Sequence, residues 1–259
     1  MCFVPKESYS LEDLSALIAY LRSPTGCPWD REQTHESIRR NFLEETYEAC
    51  EAIDRADPDL LREELGDVLT QVIFHARIEE EAGRFNLADI ADATCKKLVS
   101  RHPHLFNGQI ATTADAVMDR WEEIKQAEKR LNSTAESMDS VARSLPSAWR
   151  AEKVQSKAEK AGFDWDSVDG IFNKLDEERD ELRAAIVKDQ GVFEEVGDIL
   201  FTAVNLARML NVDPEDALHA AIDKFVRRFG RMEEAMTVNG QAFSDATLAE
   251  MEIVWQQVK

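Results

Sequence analysis

One arrangement of carboxylates is written into this chain twice. The second copy is Asp176-Glu177-Glu178-Arg179-Asp180-Glu181, followed by Phe193-Glu194-Glu195-Val196-Gly197-Asp198-Ile199-Leu200. The first is Leu43-Glu44-Glu45-Thr46-Tyr47-Glu48, followed by Glu63-Glu64-Leu65-Gly66-Asp67-Val68. In both, acidic residues three apart sit on apolar, helix-forming sequence, and positions i and i+3 share a helix face. Glu181 lies eight residues before Asp189 and Glu195 six after it. If a tight turn there makes the helices antiparallel neighbours, a rise of about 1.5 Å per residue brings the two pairs to similar height. Glu48, nine before Asp57, and Glu64, seven after it, are levelled the same way. The chain must therefore build a helical hairpin lined with carboxylates, and build it twice.

Other residues keep the same repeat. Trp29 and Trp165 are 136 apart, Glu45 and Glu178 133, and Glu64 and Glu195, like Asp67 and Asp198, 131. Lys97 with Lys224 and Arg101 with Arg228 are 127 apart; Trp121 with Trp255 and Lys125 with Lys259 are 134 apart. The drift falls in loops, where insertions are tolerated. Helices are expected over Leu11–Arg22, capped by Ser10, and over Thr34–Ala56. Others start at Asp57-Pro58 and run to Ala82, start after Asn86 and run to Arg101, and span Thr113–Leu131. In the second half they are expected over Leu145–Ala161, Val168–Lys188, onward to Leu210, from Asp213-Pro214 to Arg228, and from Thr247 to Lys259. The stretch 132–145 is rich in Ser, Asn and Thr and lacks a long periodic run. It is expected to be a linker between domains 1–131 and 146–259. The fold class is all-α: two tandem helical bundles related by internal duplication.

Charge narrows the partners. The net charge of −20 disfavours nucleic acid and anionic membrane surfaces. No run of about 18 apolar residues offers a membrane span, and the first residues lack a secretory h-region. Cys2, Cys27, Cys50 and Cys95 are scattered, as expected of reduced thiols in a cytoplasmic protein. Four crowded carboxylates repel one another unless a cation enters, and such hard oxygen ligands suit Mg²⁺, with Mn²⁺ in substitution. An acidic chain can then hold a polyphosphate through bridging metal. Glu178, Glu181, Glu195 and Asp198 are the expected ligands; Glu45, Glu48, Glu64 and Asp67 form a second possible set. Gly66 and Gly197 interrupt good helices at a cost of about 1 kcal/mol each. The expectation is that they permit close helix approach beside the carboxylates.

Glu-Glu-x-x-Glu followed by Glu-x-x-Asp resembles the signature of the all-α nucleoside triphosphate pyrophosphohydrolases. Cys-Pro-Trp-Asp at 27–30, Leu-Glu-Glu-Thr-Tyr-Glu at 43–48, Glu-Leu-Gly-Asp at 64–67 and Arg-His-Pro-His at 101–104 are similar to the MazG family. So are Arg-Ser-Leu-Pro at 143–146 and Val-Trp-Gln-Gln-Val-Lys at 254–259, so the resemblance spans nearly the whole chain. It implies Mg²⁺-dependent hydrolysis of nucleoside triphosphates to monophosphate and pyrophosphate, a homodimer, and a role in clearing the nucleotide pool. It further implies that Lys224 and Arg228 meet the phosphates, that Trp255 packs against the nucleotide and that Lys259 adds charge beside it. Lys174 is a weaker phosphate candidate, and Glu177 could orient water. The C-terminal repeat is the expected catalytic one.

Rival readings have less behind them. His102-Pro103-His104 has no Cys near it and reads as a loop. Glu32-Gln33-Thr34-His35 fits a di-iron Glu-x-x-His but occurs once. Arg62-Glu63-Glu64-Leu65-Gly66 resembles part of a Nudix box but lacks its upstream glycine. No phosphate-binding glycine loop is present. The competing class is a non-catalytic acidic helical adaptor for basic partners, which leaves the repeated basic pair and tryptophan unexplained.

Overall fold

A computed structural model describes residues 3–107, 113–128, 131–240 and 243–259. All elements among them are helical, in agreement with the all-α expectation. Two compact units are formed, Met1–Lys125 and Gln126–Lys259. The first holds α1 Leu11–Leu21, α2 Pro28–Glu32, α3 His35–Asp54, α4 Pro58–Glu81, α5 Leu87–Arg101, α6 Pro103–Phe106 and most of α7 Ala114–Glu128. The second holds α8 Thr134–Asp139, α9 Ser147–Lys160, α10 Val168–Lys188, α11 Val192–Met209, α12 Pro214–Val238, a 3₁₀ turn at Phe243–Asp245, and α13 Leu248–Gln257. No described helix is long and apolar enough to cross a membrane. Cys27, Cys50 and Cys95 are free thiols; Cys2 and residues 129–130, the expected end of the fifth helix, lie outside the described residues.

Local chemistry sets the helix ends. The Thr34 side chain accepts from the Ser37 amide while the Ser37 side chain reaches back to the amide of Thr34, so α3 starts with a reciprocal cap. Asp57 and Asp213 each accept two amides of the following turn, and Pro58 and Pro214 supply first residues that need no N–H partner. The turn from α3 to α4 passes through Ala56 at φ +51°, and that from α10 to α11 through Asp189 at φ +53° and Gly191 at φ +81°. These left-handed residues reverse the chain within a few positions, which makes each helix pair a tight hairpin.

In unit 1 the hairpin packs with α1 over Ile18, Ile38, Ile73 and Phe74. The buried guanidinium of Arg22, at the end of α1, donates to Glu81 at the end of α4 and to the carbonyls of Asp30 and Gln33. In unit 2 the hairpin packs with α9, and α12 closes on α9 and α13. Here Arg208 of α11 pairs with Glu159 of α9 at 2.6 Å and with Asp164 at 2.5 Å. One arginine thus ties α1, α4 and the segment around Trp29 in unit 1, and one ties α9, α11 and Asp164 next to Trp165 in unit 2.

Four outlines differ from the sequence expectation. Pro103–Phe106, read as a loop, and Pro28–Glu32, outside the expected helices, are short helices opened by a proline at the first position. Two further elements depart from it as well. Helix α12 continues to Val238, ten residues past Arg228. Met232 and Met236, 4% and 0% exposed, pack there against Val254, and Gly230 in a helical conformation does not break the run. Within 132–145, read as linker, Thr134–Asp139 is helical and packs on α9, where Lys157 donates to the Ser137 hydroxyl.

Candidate active site

The hairpin of unit 2 brings the carboxylates together as the residue count requires. One oxygen each from Glu178, Glu181 and Glu195 lies within 4.8 Å of the others. Glu178 is buried, Glu181 is exposed and Glu195 is half-buried. Desolvation first, then the charges of Glu181, Asp198 and Glu178, push the Glu195 carboxyl above its ordinary value. Unit 1 repeats the cluster with Glu45, Glu48 and Glu64, again within 4.8 Å. Glu45 is raised by desolvation, then by Asp67 and Glu48; Glu64 is raised by desolvation, then by Glu48 and Asp67. Asp198 and Asp67 thus stand close enough to act on their clusters.

Lys174, one turn before Glu178, donates to Glu177 at 2.8 Å and to Glu178 at 2.9 Å. The hydrogen bond to Glu177, followed by that to Glu178, raises its ammonium pKa, so the lysine stays charged. Beside this group lies a cavity of about 520 Å³. Lys174, Glu178 and Asp198 form its polar wall, and Val154, Trp165 and Phe201 contribute apolar surface. Lys224, Arg228, Trp255 and Lys259 are not among its lining residues. Trp255 lies against Phe225, 5.3 Å between ring centroids, and on the Met232–Met236–Val254 cluster. Its counterpart Trp121 is covered by the guanidinium of Arg101 at 5.4 Å and by His102 at 5.1 Å. His102 also bonds the Leu98 carbonyl, which gives the His-x-His pair a local helix-end role.

Trp165 and Gln155 line the cavity although neither was singled out as a substrate residue. For Trp165 a signal existed: it repeats Trp29. Gly170 makes room for it, since a Cβ there would meet Trp165 Cε3 at 2.9 Å. The expectation for Gly66 and Gly197 is corrected. A Cβ at either would meet nothing within 4 Å, so neither brings the hairpin helices of its own unit together. They sit instead among exposed apolar residues, Leu65 and Leu69 in one unit, Val196 and Leu200 in the other.

Comparison with known proteins follows the same division. The MazG nucleotide pyrophosphohydrolase domain matches residues 33–106 and 157–231, one match over each carboxylate hairpin. A nucleoside triphosphate pyrophosphohydrolase of Escherichia coli (strain K12) is 43% identical over 254 residues, covering 96% of this chain and 97% of the relative. The nucleoside triphosphate pyrophosphohydrolase/pyrophosphatase MazG of Thermotoga maritima is 41% identical over 249 residues, 96% and 95% of the two chains. A nucleoside triphosphate pyrophosphohydrolase of Mycobacterium tuberculosis is 36% identical over 230 residues, 88% of this chain and 59% of the relative. With the domain found twice, in step with the two hairpins, this chain belongs to the MazG nucleotide pyrophosphohydrolase family.

Proposed function

We propose that the α10–α11 site hydrolyses nucleoside triphosphates to the monophosphate and pyrophosphate, with Mg²⁺, or Mn²⁺ in substitution, held by Glu178, Glu181, Glu195 and Asp198. The observation that carries the reading is three carboxylate oxygens within 4.8 Å of one another, beside a cavity of about 520 Å³. The names of the Escherichia coli and Thermotoga maritima relatives support the reaction class. The donor set fits the ion: all are hard oxygens, few in number, as Mg²⁺ shared with a phosphate requires. Desolvation and then the repulsion of its neighbours lift Glu195, and a divalent cation would relieve that repulsion. Bound there, the ion would neutralise phosphate charge and polarise the phosphoryl oxygens toward attack by water.

The chain's own groups have separate tasks in this reading. Lys174 stands at the cavity wall with a fixed positive charge and offers it to a phosphate in place of a carboxylate partner. Glu177, relieved of that lysine, can orient the attacking water. Lys224 and Arg228, one turn apart on α12, meet the triphosphate tail, with Lys259 adding charge and Trp255 packing on the nucleotide; these four roles rest on the family resemblance. The unit 1 cluster is structural or regulatory. The protein acts as a homodimer, with the exposed apolar residues around Gly197 accepting a second copy, and its work is clearance of the nucleotide pool.

The test is pyrophosphate release from a panel of nucleoside triphosphates, with and without Mg²⁺. Glu178→Gln should lower turnover by about 10²-fold or more, the scale of losing one preorganised charge. The double variant Glu45→Gln with Glu48→Gln should keep turnover, and the opposite pattern would move the active site to unit 1. No pyrophosphate from any nucleotide would favour the acidic adaptor.

A further inference from the structure

Gln155, a residue of the cavity lining beside the carboxylates, carries a buried polar atom that the protein leaves unsatisfied. Gln155, on α9, is 5% exposed, and its Oε1 has no hydrogen-bond partner. The amide orientation is set by its other end: Nε2 donates to the Phe201 carbonyl at 2.8 Å, and a flipped amide would press two oxygens together. A buried acceptor without a donor costs free energy, and native folds seldom retain one without a use. Gln155 lines the same cavity as Glu178 and Asp198. Asn205, also in the lining, accepts from Arg208 Nε at 2.9 Å through its Oδ1, which leaves its NH₂ group to donate. Away from the charged side of Asp164, Lys174, Glu178 and Asp198, the lining thus includes one residue with a spare acceptor and one with a spare donor, set among apolar side chains.

Those walls include the rings of Phe163 and Trp165. Among the described residues neither stacks on another ring. A phosphate has no N–H to give Gln155, and the apolar side of the cavity offers it no cation. A flat heterocycle with an N–H edge matches all three features: volume, ring faces and acceptor.

The first repeat provides an internal control. The offsets of 136 at the tryptophans and 131 at the second helix pair Val154, Gln155 and Asn205 with Ile18, Ala19 and Phe74. Ile18 and Phe74 are buried together in the core of unit 1. At the positions of Gln155 and Asn205, where unit 2 has polar side chains beside a cavity, unit 1 has Ala19 and Phe74.

We infer that this cavity receives the nucleobase of the substrate, and that Gln155 Oε1 accepts a hydrogen bond from an N–H on the base edge and so sets base preference. The inference rests on the nucleoside triphosphate reading above. It is tested with substrate pairs that differ in one donor: ATP against purine riboside triphosphate, CTP against 2-pyrimidinone riboside triphosphate, and UTP against N3-methyluridine triphosphate. In the wild-type protein, removing the donor from the preferred base should lower kcat/KM by about tenfold or more, since the buried acceptor is then stranded. In Gln155→Met, of similar shape but without the acceptor, the same ratio should fall toward one. The ratio is internal to each protein, so partial misfolding of the variant does not affect it. Equal ratios in the two proteins, or a wild type indifferent to the donor in all pairs, would overturn the assignment. Binding of the same nucleotides, followed by tryptophan fluorescence, separates the two readings. Hydrolysis without donor dependence removes the pocket assignment alone. Donor-dependent binding without pyrophosphate release removes the hydrolase reading alone, and absence of both binding and release removes both.

Discussion

Single side chains decide what the site can hold. Gly170 matters because of what lies above it. With a methyl group at this position the indole of Trp165 would have to move, since the contact would shrink to 2.9 Å. Gly170→Ala should therefore weaken nucleotide binding, seen as a rise in KM larger than the fall in kcat, while the helical circular dichroism stays as in the wild type. An unaltered KM would show that Trp165 is not a binding surface. A different residue controls the acid limb of stability. Glu79 bonds Arg84 and His35, the Arg84 hydrogen bond first among the causes, and its pKa drops from 4.5 to about 2. A depressed carboxylate pKa means the folded state binds the proton less well than the unfolded chain. The stability from Glu79 is complete above about pH 4.5 and is lost as pH falls toward 2. The Tm difference between wild type and Glu79→Gln should thus be smallest near pH 2, grow to pH 4.5 and stay constant above it. A difference independent of pH would contradict this account.

At the scale of elements, the hairpins carry two kinds of helix end and one kind of interruption. Asp213 caps α12 through the amides of Glu215 and Asp216, and its carboxylate also accepts the Trp149 indole N–H at 3.0 Å. Asp213→Ala should cost about 1–2 kcal/mol in chemical denaturation, the upper range for a lost cap, because α9 loses its tie to α12 as well. The interrupting glycine of α4 should behave in the opposite way. Gly66 has a helical φ and open space where a Cβ would stand. Gly66→Ala should stabilise the protein by about 1 kcal/mol through helix propensity alone. A loss of stability would mean that another surface reaches that position in solution.

For the whole molecule, the exposed apolar residues on the hairpins set the expected assembly. Phe193 is 95% exposed and Leu200 62%, on the helix that carries Glu195 and Asp198. In the proposed homodimer these apolar residues, with Gly197 in their midst, take the second copy. Light scattering should give twice the mass of one chain, and Leu200→Glu should return it to one. A monomeric wild type at micromolar concentration would remove the homodimer from the proposed function.

Taken alone, the sequence settled whatever depends on neighbours along the chain. Helix period, Asp-Pro starts, glycine turns and the doubled spacing of acids gave the all-α fold and the hairpins to within a few residues. Residue counts on either side of each turn also anticipated that Glu178, Glu181 and Glu195, like Glu45, Glu48 and Glu64, come within 4.8 Å of one another. Contacts between distant segments were decided only in three dimensions. The extension of α12 beyond Arg228 keeps the helical spacing of Phe225, Phe229, Met232 and Met236, but what that stripe packs against, α13, is decided only in the fold. Gly66 and Gly197 could not be read correctly because propensity shows that a glycine needs a reason without showing what faces it. Gln155, an unremarkable polar residue in the sequence, becomes a buried acceptor only when Phe201, 46 positions away, takes its amide N–H. The two repeats write the same carboxylates, but burial of Phe74 in one and the cavity beside Asn205 in the other make them different surfaces.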